Sequence, residues 1–258
     1  MANDSKTWRC GKYELSFDRP RIMGVLNVTP DSFSDGGTHN EFEAAVAWGK
    51  RLAEQGADIL DVGGESTRPG ASEVSVEEEI RRVVPVVRAL AQEGLAVSVD
   101  TSKPEVMQAS LKAGACILND IRAFELPGAE DVAARSGAGL VIMHMQGTPQ
   151  TMQNRPDYED LLGEIETYLR RREEALLTKG VKPAQICWDA GFGFGKTLFD
   201  AQFLGDVFGQ CILMNKDIHG FVSNESFGSI PDAFILAAQS PGILYHEIFF
   251  SVLVFSDT

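Results

Sequence analysis

The sequence predicts an α/β fold, a (β/α)8 barrel of the TIM type, and three observations carry that reading. Short apolar runs alternate with helical stretches from about residue 20 onward. The runs are apolar on both faces, as the strands of a parallel sheet covered by helices must be. Each run also leads into a polar side chain, and barrels of this kind build their sites from the carboxyl ends of several strands. The expected strands span 22–26, 58–62, 96–99, 116–118, 140–143 and 185–188, and they end at or near Asn27, Asp61, Asp100, Asn119, His144 and Asp189. Asp and Asn favour turns and can end a strand for that reason alone. That explanation has to be repeated at six successive strands. A doubly wound sheet would gather ligands only around one switch point, so polar tips on every strand favour the barrel.

The helices between these strands follow from spacing. Phe42, Val46, Leu52 and Ala53 recur at helical intervals, as do Ile80, Val83, Val84, Val87 and Leu90, with Pro85 expected to kink the second helix. Ser75 with Glu78, and Ser102 with Glu105, have the capping-box spacing at two helix starts. No linker, repeat or low-complexity stretch divides the 258 residues.

Composition narrows the function. The net charge of −14 repels phosphate backbones, so nucleic acid is not an expected partner. An anionic substrate would have to be held by local donors or a metal. The cysteines, Cys10, Cys116, Cys187 and Cys211, are scattered without metal-ligand spacing, which favours a reducing compartment. The N-terminal stretch has no apolar core of a secretory signal, and no segment approaches the roughly 18 apolar residues of a membrane span. A cytoplasmic location with no membrane partner is therefore expected.

Two loops look functional. NVTPDSFSDGG (27–37) is rich in turn formers yet carries one large apolar residue, Phe33, as a lid folding over a ligand would. DVGGESTRPGA (61–71) pairs two glycines, which permit close backbone approach, with Ser66, Thr67 and Arg68 as anion donors. A third segment, AGFGFGKT (190–197), comes close to a phosphate-binding loop. Phe192 and Phe194 are too bulky for a loop that must wrap phosphate with its backbone. His144 at a strand end reads as structural, and Lys103 and Arg122 as solvated or paired surface charges.

The segments MGVLNVTPDSFSDGG (23–37) and ADILDVGGESTRPGA (57–71) resemble the two signature segments of dihydropteroate synthases almost letter for letter. VSVDTSKPEV (97–106), ILNDIRA (117–123), MHMQGTPQTM (143–152) and GFGFGK (191–196) continue the likeness in order, so that it covers about residues 15–197. The resemblance implies a transferase of folate biosynthesis and a sulfonamide target. Such an enzyme condenses 6-hydroxymethyl-7,8-dihydropterin diphosphate with p-aminobenzoate, giving 7,8-dihydropteroate and pyrophosphate. It implies that Asp100, Asn119 and Asp189 bind the pterin and that Asn27 is the Mg²⁺-associated residue. By the same likeness Thr67, Arg68 and Pro69, with Phe33 and Ser34, belong to the loops around p-aminobenzoate and the diphosphate. No protein nucleophile is implied, and a homodimer is. Pterin-binding corrinoid methyltransferases share the barrel and its polar tips, but would be expected to lack both loops.

The resemblance weakens at two places. Asp189 is followed by Ala190 where the family usually has proline. Past Thr197, a lysine–serine loop and an arginine–x–histidine expected of the last two strands are missing. The final 61 residues hold one basic residue, Lys216, against seven acids, with nine of the fifteen phenylalanines. The expected organisation is therefore a pterin-binding barrel of six βα units over 1–197 and an atypical segment over 198–258. The last two βα units would be altered or incomplete, and activity impaired. A non-catalytic truncated or frameshifted remnant is the third reading.

Overall fold

The computed structural model of the chain describes residues 7–17, 19, 21–29, 38–66, 73–148, 151–152, 156–192, 194–197, 200 and 253–254. Within them an antiparallel hairpin, β1 (Thr7–Cys10) and β2 (Tyr13–Ser16), precedes a run of alternating strands and helices. The strands are β3 (Met23–Asn27), β4 (Ile59–Gly63), β5 (Val97–Asp100), β6 (Ile117–Asp120), β7 (Gly139–Met143) and β8 (Ile186–Asp189). Between successive strands lie α1 (Thr38–Glu54), α2 (Val76–Gln92), α3 (Pro104–Ala113), α4 (Ala129–Ser136) and α5 (Leu161–Thr178).

The strands lie side by side in chain order and all six pair in parallel. Sequential order with a helix between successive strands is the barrel's connectivity and lacks the order reversal of a doubly wound sheet. All six expected strands are present, with ends within two residues of those read from the sequence. A short strand, β9 (Leu253–Val254), then pairs antiparallel with β8, bringing Leu253 opposite Asp189. Apart from Asp200 and this strand, the segment 198–258 lies outside the described residues.

Alternation along each strand sorts side chains between two layers. Leu26, Leu60, Val62, Val97, Val99, Leu118, Leu140, Ile142 and Ile186 point outward and pack against helix residues such as Val83, Val87, Leu90 and Leu169. The opposite parity points into the barrel. There Ile59, Ala96, Ile117, Val141 and Cys187 close around Trp8 and Cys10 of the hairpin, which plug the floor. Trp8 is fully buried, and its indole N–H donates to the Gln185 carbonyl at 2.8 Å. Gly139 makes room for this plug. A Cβ there would stand 2.6 Å from Cys10 Sγ and 3.0 Å from the Trp8 ring. Burial pushes the Cys116 thiol up to about 11 and raises Cys10 and Cys187 as well, so these thiols act as small apolar groups.

Beside the floor, Asp58 accepts hydrogen bonds from Arg19, Arg21 and the Ile22 N–H and ties the chain entering β3 to the start of β4. Burial alone would raise its carboxyl, but the bonds from Arg19, Ile22 and Arg21 outweigh it and hold the pKa near 2.

One expectation, a cap at both helix starts, needs correction, and two further features stand out. The hairpin was not anticipated, although Trp8 and Cys10 already alternate with polar residues. Helix α2 continues through Pro85 to Gln92. Pro85 is exposed, so the hydrogen bond it cannot make faces water. Only one of the two helix starts keeps its cap. Ser75 Oγ accepts from the Glu78 N–H at 3.2 Å, while Glu78 itself turns to Arg81 and Arg82. At α3 the cap residue is Lys103, with Pro104 following, and the Ser102 hydroxyl donates instead to Asp120 at 2.5 Å.

The plug should be sensitive to both its bulk and its clearance. Trp8→Ala is expected to cost about 3–5 kcal/mol by leaving a cavity. Gly139→Ala should cost about 1–3 kcal/mol by overpacking the same place. Urea unfolding of the two variants checks both figures, and unchanged stability in Gly139→Ala would mean the floor has slack.

Candidate active site

In-register pairing sets Asn27, Gly63, Asp100 and Asn119 opposite one another in one row across β3 to β6. All four have the inward parity. Gly63 keeps the row open, since a Cβ there would lie 3.3 Å from Asn27 Oδ1 and 3.6 Å from Asp100 Oδ2. One pleat deeper, Asp61 stands opposite Ser98. On the far side Asp189, 2% exposed, stands opposite Met143. Four of the residues expected at the site, Asn27, Asp100, Asn119 and Asp189, are thus gathered at the carboxyl ends of the strands.

The pocket is rich in acceptors. Asn119 Nδ2 donates to Asp61 Oδ2 at 2.9 Å, while Asn119 Oδ1 is buried with no protein donor. Burial raises the Asp61 carboxyl, opposed by the Ser98 hydroxyl and then by Asn119. Asp100 is raised well above the usual carboxylate range by desolvation and then by the charges of Asp61, Asp120, Glu79 and Glu65. It is partly accessible at the mouth, yet protein surrounds it on the other sides.

Asp120 has the outward parity and a structural task. It accepts from the N–H groups of Arg122 (2.9 Å) and Phe124 (2.7 Å) and from Ser102, bracing a turn in which Ala123 and Phe124 hold positive φ. Such backbone persists only where its surroundings over-determine it. Here the brace fixes the chain directly after Asn119.

An apolar wall completes the mouth. Ile121, Met143, Met152 and Phe194 pack together, with Met145 against them. The segment after β8 is latched from below by Lys196, 3% exposed, whose Nζ meets His144 Nδ1 (3.1 Å), the His144 carbonyl (3.3 Å) and the Phe194 carbonyl (3.0 Å). An ammonium can only donate, so Nδ1 of a neutral imidazole accepts. Burial and then the Lys196 charge lower His144 to about 3. Burial also lowers Lys196 to about 8, against the opposing charges of Asp189 and Asp200. Gly191, at φ +67°, passes close beneath the His144 carbonyl, where a side chain would collide. The resemblance to a phosphate-binding loop therefore ends at Lys196, which is spent inside the fold. The structural reading of His144 fits this geometry.

Lys103 is paired, as expected, but it is more enclosed than a surface charge. Its Nζ contacts Glu65 Oε2 (2.6 Å), Glu79 Oε2 (2.6 Å) and the Val74 carbonyl (2.7 Å), while Glu65 Oε1 accepts from the Val74 N–H. This clasp joins the two ends of the segment containing Thr67, Arg68 and Pro69. Those three residues, with Phe33 and Ser34, lie outside the described residues. Asp61, Lys196 and the apolar wall were not among the expected site residues. Asp61 was marked only as a strand end, although its two-residue spacing from Gly63 places both on one face.

A six-stranded parallel run in chain order, with an acceptor-lined mouth beside an apolar wall, defines the carboxyl end of a barrel of pterin-enzyme type. The family model described as "Pterin binding enzyme" matches residues 23–238, which extends past Thr197. The chain is 52% identical over 185 residues to dihydropteroate synthase of Escherichia coli K12, covering 71% of this chain. It spans just under two thirds, 66%, of that relative's length. Burkholderia cenocepacia dihydropteroate synthase, solved with 7,8-dihydropteroate, superposes with TM-score 0.71 at 43% identity, over 81% of this chain and 71% of that one. The Xanthomonas albilineans enzyme, solved with 4-aminobenzoic acid, gives 0.73 at 46% identity, over 86% and 83% of the two chains. The chain belongs to the dihydropteroate synthase family of pterin-binding enzymes.

The latch makes stability depend on pH at both ends. His144 titrates near 3 when folded and near 6.5 when unfolded, so its contribution is present above 6.5 and lost as pH falls toward 3. Lys196 is depressed from 10.5 to about 8, so its contribution is present above 10.5 and lost as pH falls through 8. Urea unfolding should therefore show the wild type losing more stability than His144→Gln between pH 7 and about 5. It should also gain on Lys196→Met between about 8 and 10. Parallel curves for variant and wild type would contradict the buried latch.

Proposed function

We infer that the chain joins 6-hydroxymethyl-7,8-dihydropterin diphosphate to p-aminobenzoate, yielding 7,8-dihydropteroate and pyrophosphate. The observation that carries this reading is the convergence of Asp100, Asn119 and Asp189 at one barrel mouth, with Asn119 Oδ1 buried and lacking a protein donor. A pterin has an amidine-like edge of N–H donors, which carboxylates accept, and the Asn119 amide can accept and donate. The flat ring then lies against Met143, Phe194 and their neighbours. Family membership supports the same reading, together with a cytoplasmic, homodimeric enzyme.

The reaction is a displacement at the exocyclic methylene of the pterin. The carbon–oxygen bond to diphosphate breaks, the aniline nitrogen forms the new bond to that carbon, and the amine gives up a proton. Positive charge that grows on the pterin is met by carboxylates held in a poorly solvated mouth, where fixed charges act most strongly. None of these steps needs a protein nucleophile. Asn27 Oδ1 lies over Gly63 beside the Asp100 carboxylate. A neutral oxygen there suits Mg²⁺ whose remaining ligands are diphosphate oxygens and water. Bound at Asn27, the ion would neutralise charge on the leaving diphosphate. Phe33, Ser34, Thr67, Arg68 and Pro69 would enclose p-aminobenzoate and the diphosphate. The Lys103 clasp, which brackets the second of these loops, supports that role.

Asp189→Ala should weaken binding of the pterin diphosphate by about 1.5–3 kcal/mol, the worth of hydrogen bonds to a charged group. Unchanged affinity by calorimetry would remove Asp189 from the site. In a pyrophosphate-release assay, turnover should require both substrates and Mg²⁺. It should also run about a hundred-fold or more below the E. coli relative measured alongside, since only Lys216 among the last 61 residues can supply a side-chain cation in place of two missing ones. Release that ignores p-aminobenzoate would overturn the assigned reaction, and a rate equal to the relative's would show that the tail rebuilds the site.

A further inference from the structure

Asp61 takes no direct part in the reaction just described, yet it is the most enclosed acid on the inner face of β3 to β6. It has the parity of Gly63 and lies one pleat below the row that contains Asp100 and Asn119. Its Oδ2 accepts from Asn119 Nδ2 at 2.9 Å. The nitrogen of the Asn119 amide therefore faces Asp61, the orientation that suits a carboxylate offering acceptors. The flipped amide would set Oδ1 against the carboxylate, exchanging a charge-assisted hydrogen bond for a repulsive contact. One N–H of Asn119 is thereby committed downward. The other N–H and Oδ1 remain for whatever occupies the pocket. Oδ1 is buried without a protein donor. Burying that acceptor unpaired is unfavourable unless an occupant supplies the donor.

We propose that Asp61 is a positioning residue that locks the Asn119 amide, so that Asn119 meets the pterin with its oxygen and its remaining N–H in one fixed order. The proposal rests on the pterin reading for its ligand, but the lock itself is a property of the ligand-free protein. A bare asparagine would present its oxygen and nitrogen in either order. Asp61 removes that freedom, and the site then discriminates between a ligand edge with matching donors and acceptors and one with the order reversed.

The test uses the full 258-residue chain and four forms: wild type, Asp61→Asn, Asn119→Ala and the double variant. Asp61→Asn is nearly isosteric, but its amide can pair with Asn119 in either orientation. Calorimetry with 6-hydroxymethyl-7,8-dihydropterin diphosphate should show about a tenfold loss of affinity for Asp61→Asn. In the Asn119→Ala background the same change should cost less than about twofold, because nothing remains to be positioned. Equal losses in both backgrounds would mean that Asp61 touches the ligand directly and would overturn the proposal. No loss in either background, with lowered thermal stability only, would make Asp61 a purely structural acid and overturn it as well. The orientation is read without ligand from the side-chain amide of Asn119 in ¹⁵N-asparagine-labelled protein. One of its two protons should be protected from exchange in the wild type and lose that protection in Asp61→Leu. An unprotected amide in the wild type would sink the lock whatever the affinities. A protected amide in a chain that fails to bind the pterin would support the lock and count against the pterin reading alone.

Discussion

The pairing register of β3 to β6 governs everything at the mouth. Asn27, Gly63, Asp100 and Asn119 meet in one row because four parallel strands pair without slip. A slip of one residue on any strand would send its inward set into the helix layer and bring its outward set into the barrel. On β6 the exchange would be especially damaging. Asn119 faces the pocket with an amide held by Asp61, while Asp120 faces away and braces the turn of Ala123 and Phe124. Two adjacent polar residues thus have tasks that cannot be traded. Val97, Val99, Leu118, Leu140 and Ile142 hold this register by pressing on the helices from the other side of the sheet.

Gathering acids in one place has to be offset. Burial raises Asp61 and Asp120, and Asp100 is raised by burial and then by the charges of Asp61, Asp120, Glu79 and Glu65. The fold answers with two enclosed lysines. Burial would lower Lys103, but its bonds to Glu65 and Glu79 raise it, so that it stays charged between them. Lys196 stands near Asp189 at the other side of the mouth and latches the Phe194 segment to His144. Neither lysine is free to neutralise a departing anion, since each is committed to protein carbonyls or carboxylates.

Much of this was legible in the chain. Apolar runs on both faces gave the six strands, and their polar ends gave Asn27, Asp100, Asn119 and Asp189 because a strand end and its side-chain direction are local properties. What failed was long-range. Ser102 and Glu105 have the spacing of a capping box, but Asp120, eighteen residues on, takes the Ser102 hydroxyl. Lys196 sits where a phosphate-binding lysine would, and only the fold reveals His144 beneath it. Lys103 reads as an exposed charge until Glu65 and Glu79 are brought around it. Trp8 and Cys10 alternate like a strand, but their partner is the floor of a barrel that begins more than ten residues later. Local periodicity carries the elements, whereas a side chain's partner is fixed only when distant segments meet.

Along the barrel axis, stability and chemistry are placed at opposite ends. The floor is apolar and filled, with Gly139 admitting the Trp8 and Cys10 plug. The mouth is polar and open, with Gly63 keeping Asn27 and Asp100 from being separated by a side chain. The two glycines do opposite things by the same means, since each removes a Cβ where something else must come close. At the floor that something is the protein itself, which gains packing. At the mouth the described residues leave the gap open, and Asn119 Oδ1 stays short of a donor. A barrel arranged this way can tolerate an under-satisfied pocket because its stabilising contacts are made elsewhere. An acceptor buried without a donor is unfavourable, and that deficit is relieved by any occupant that brings the donor.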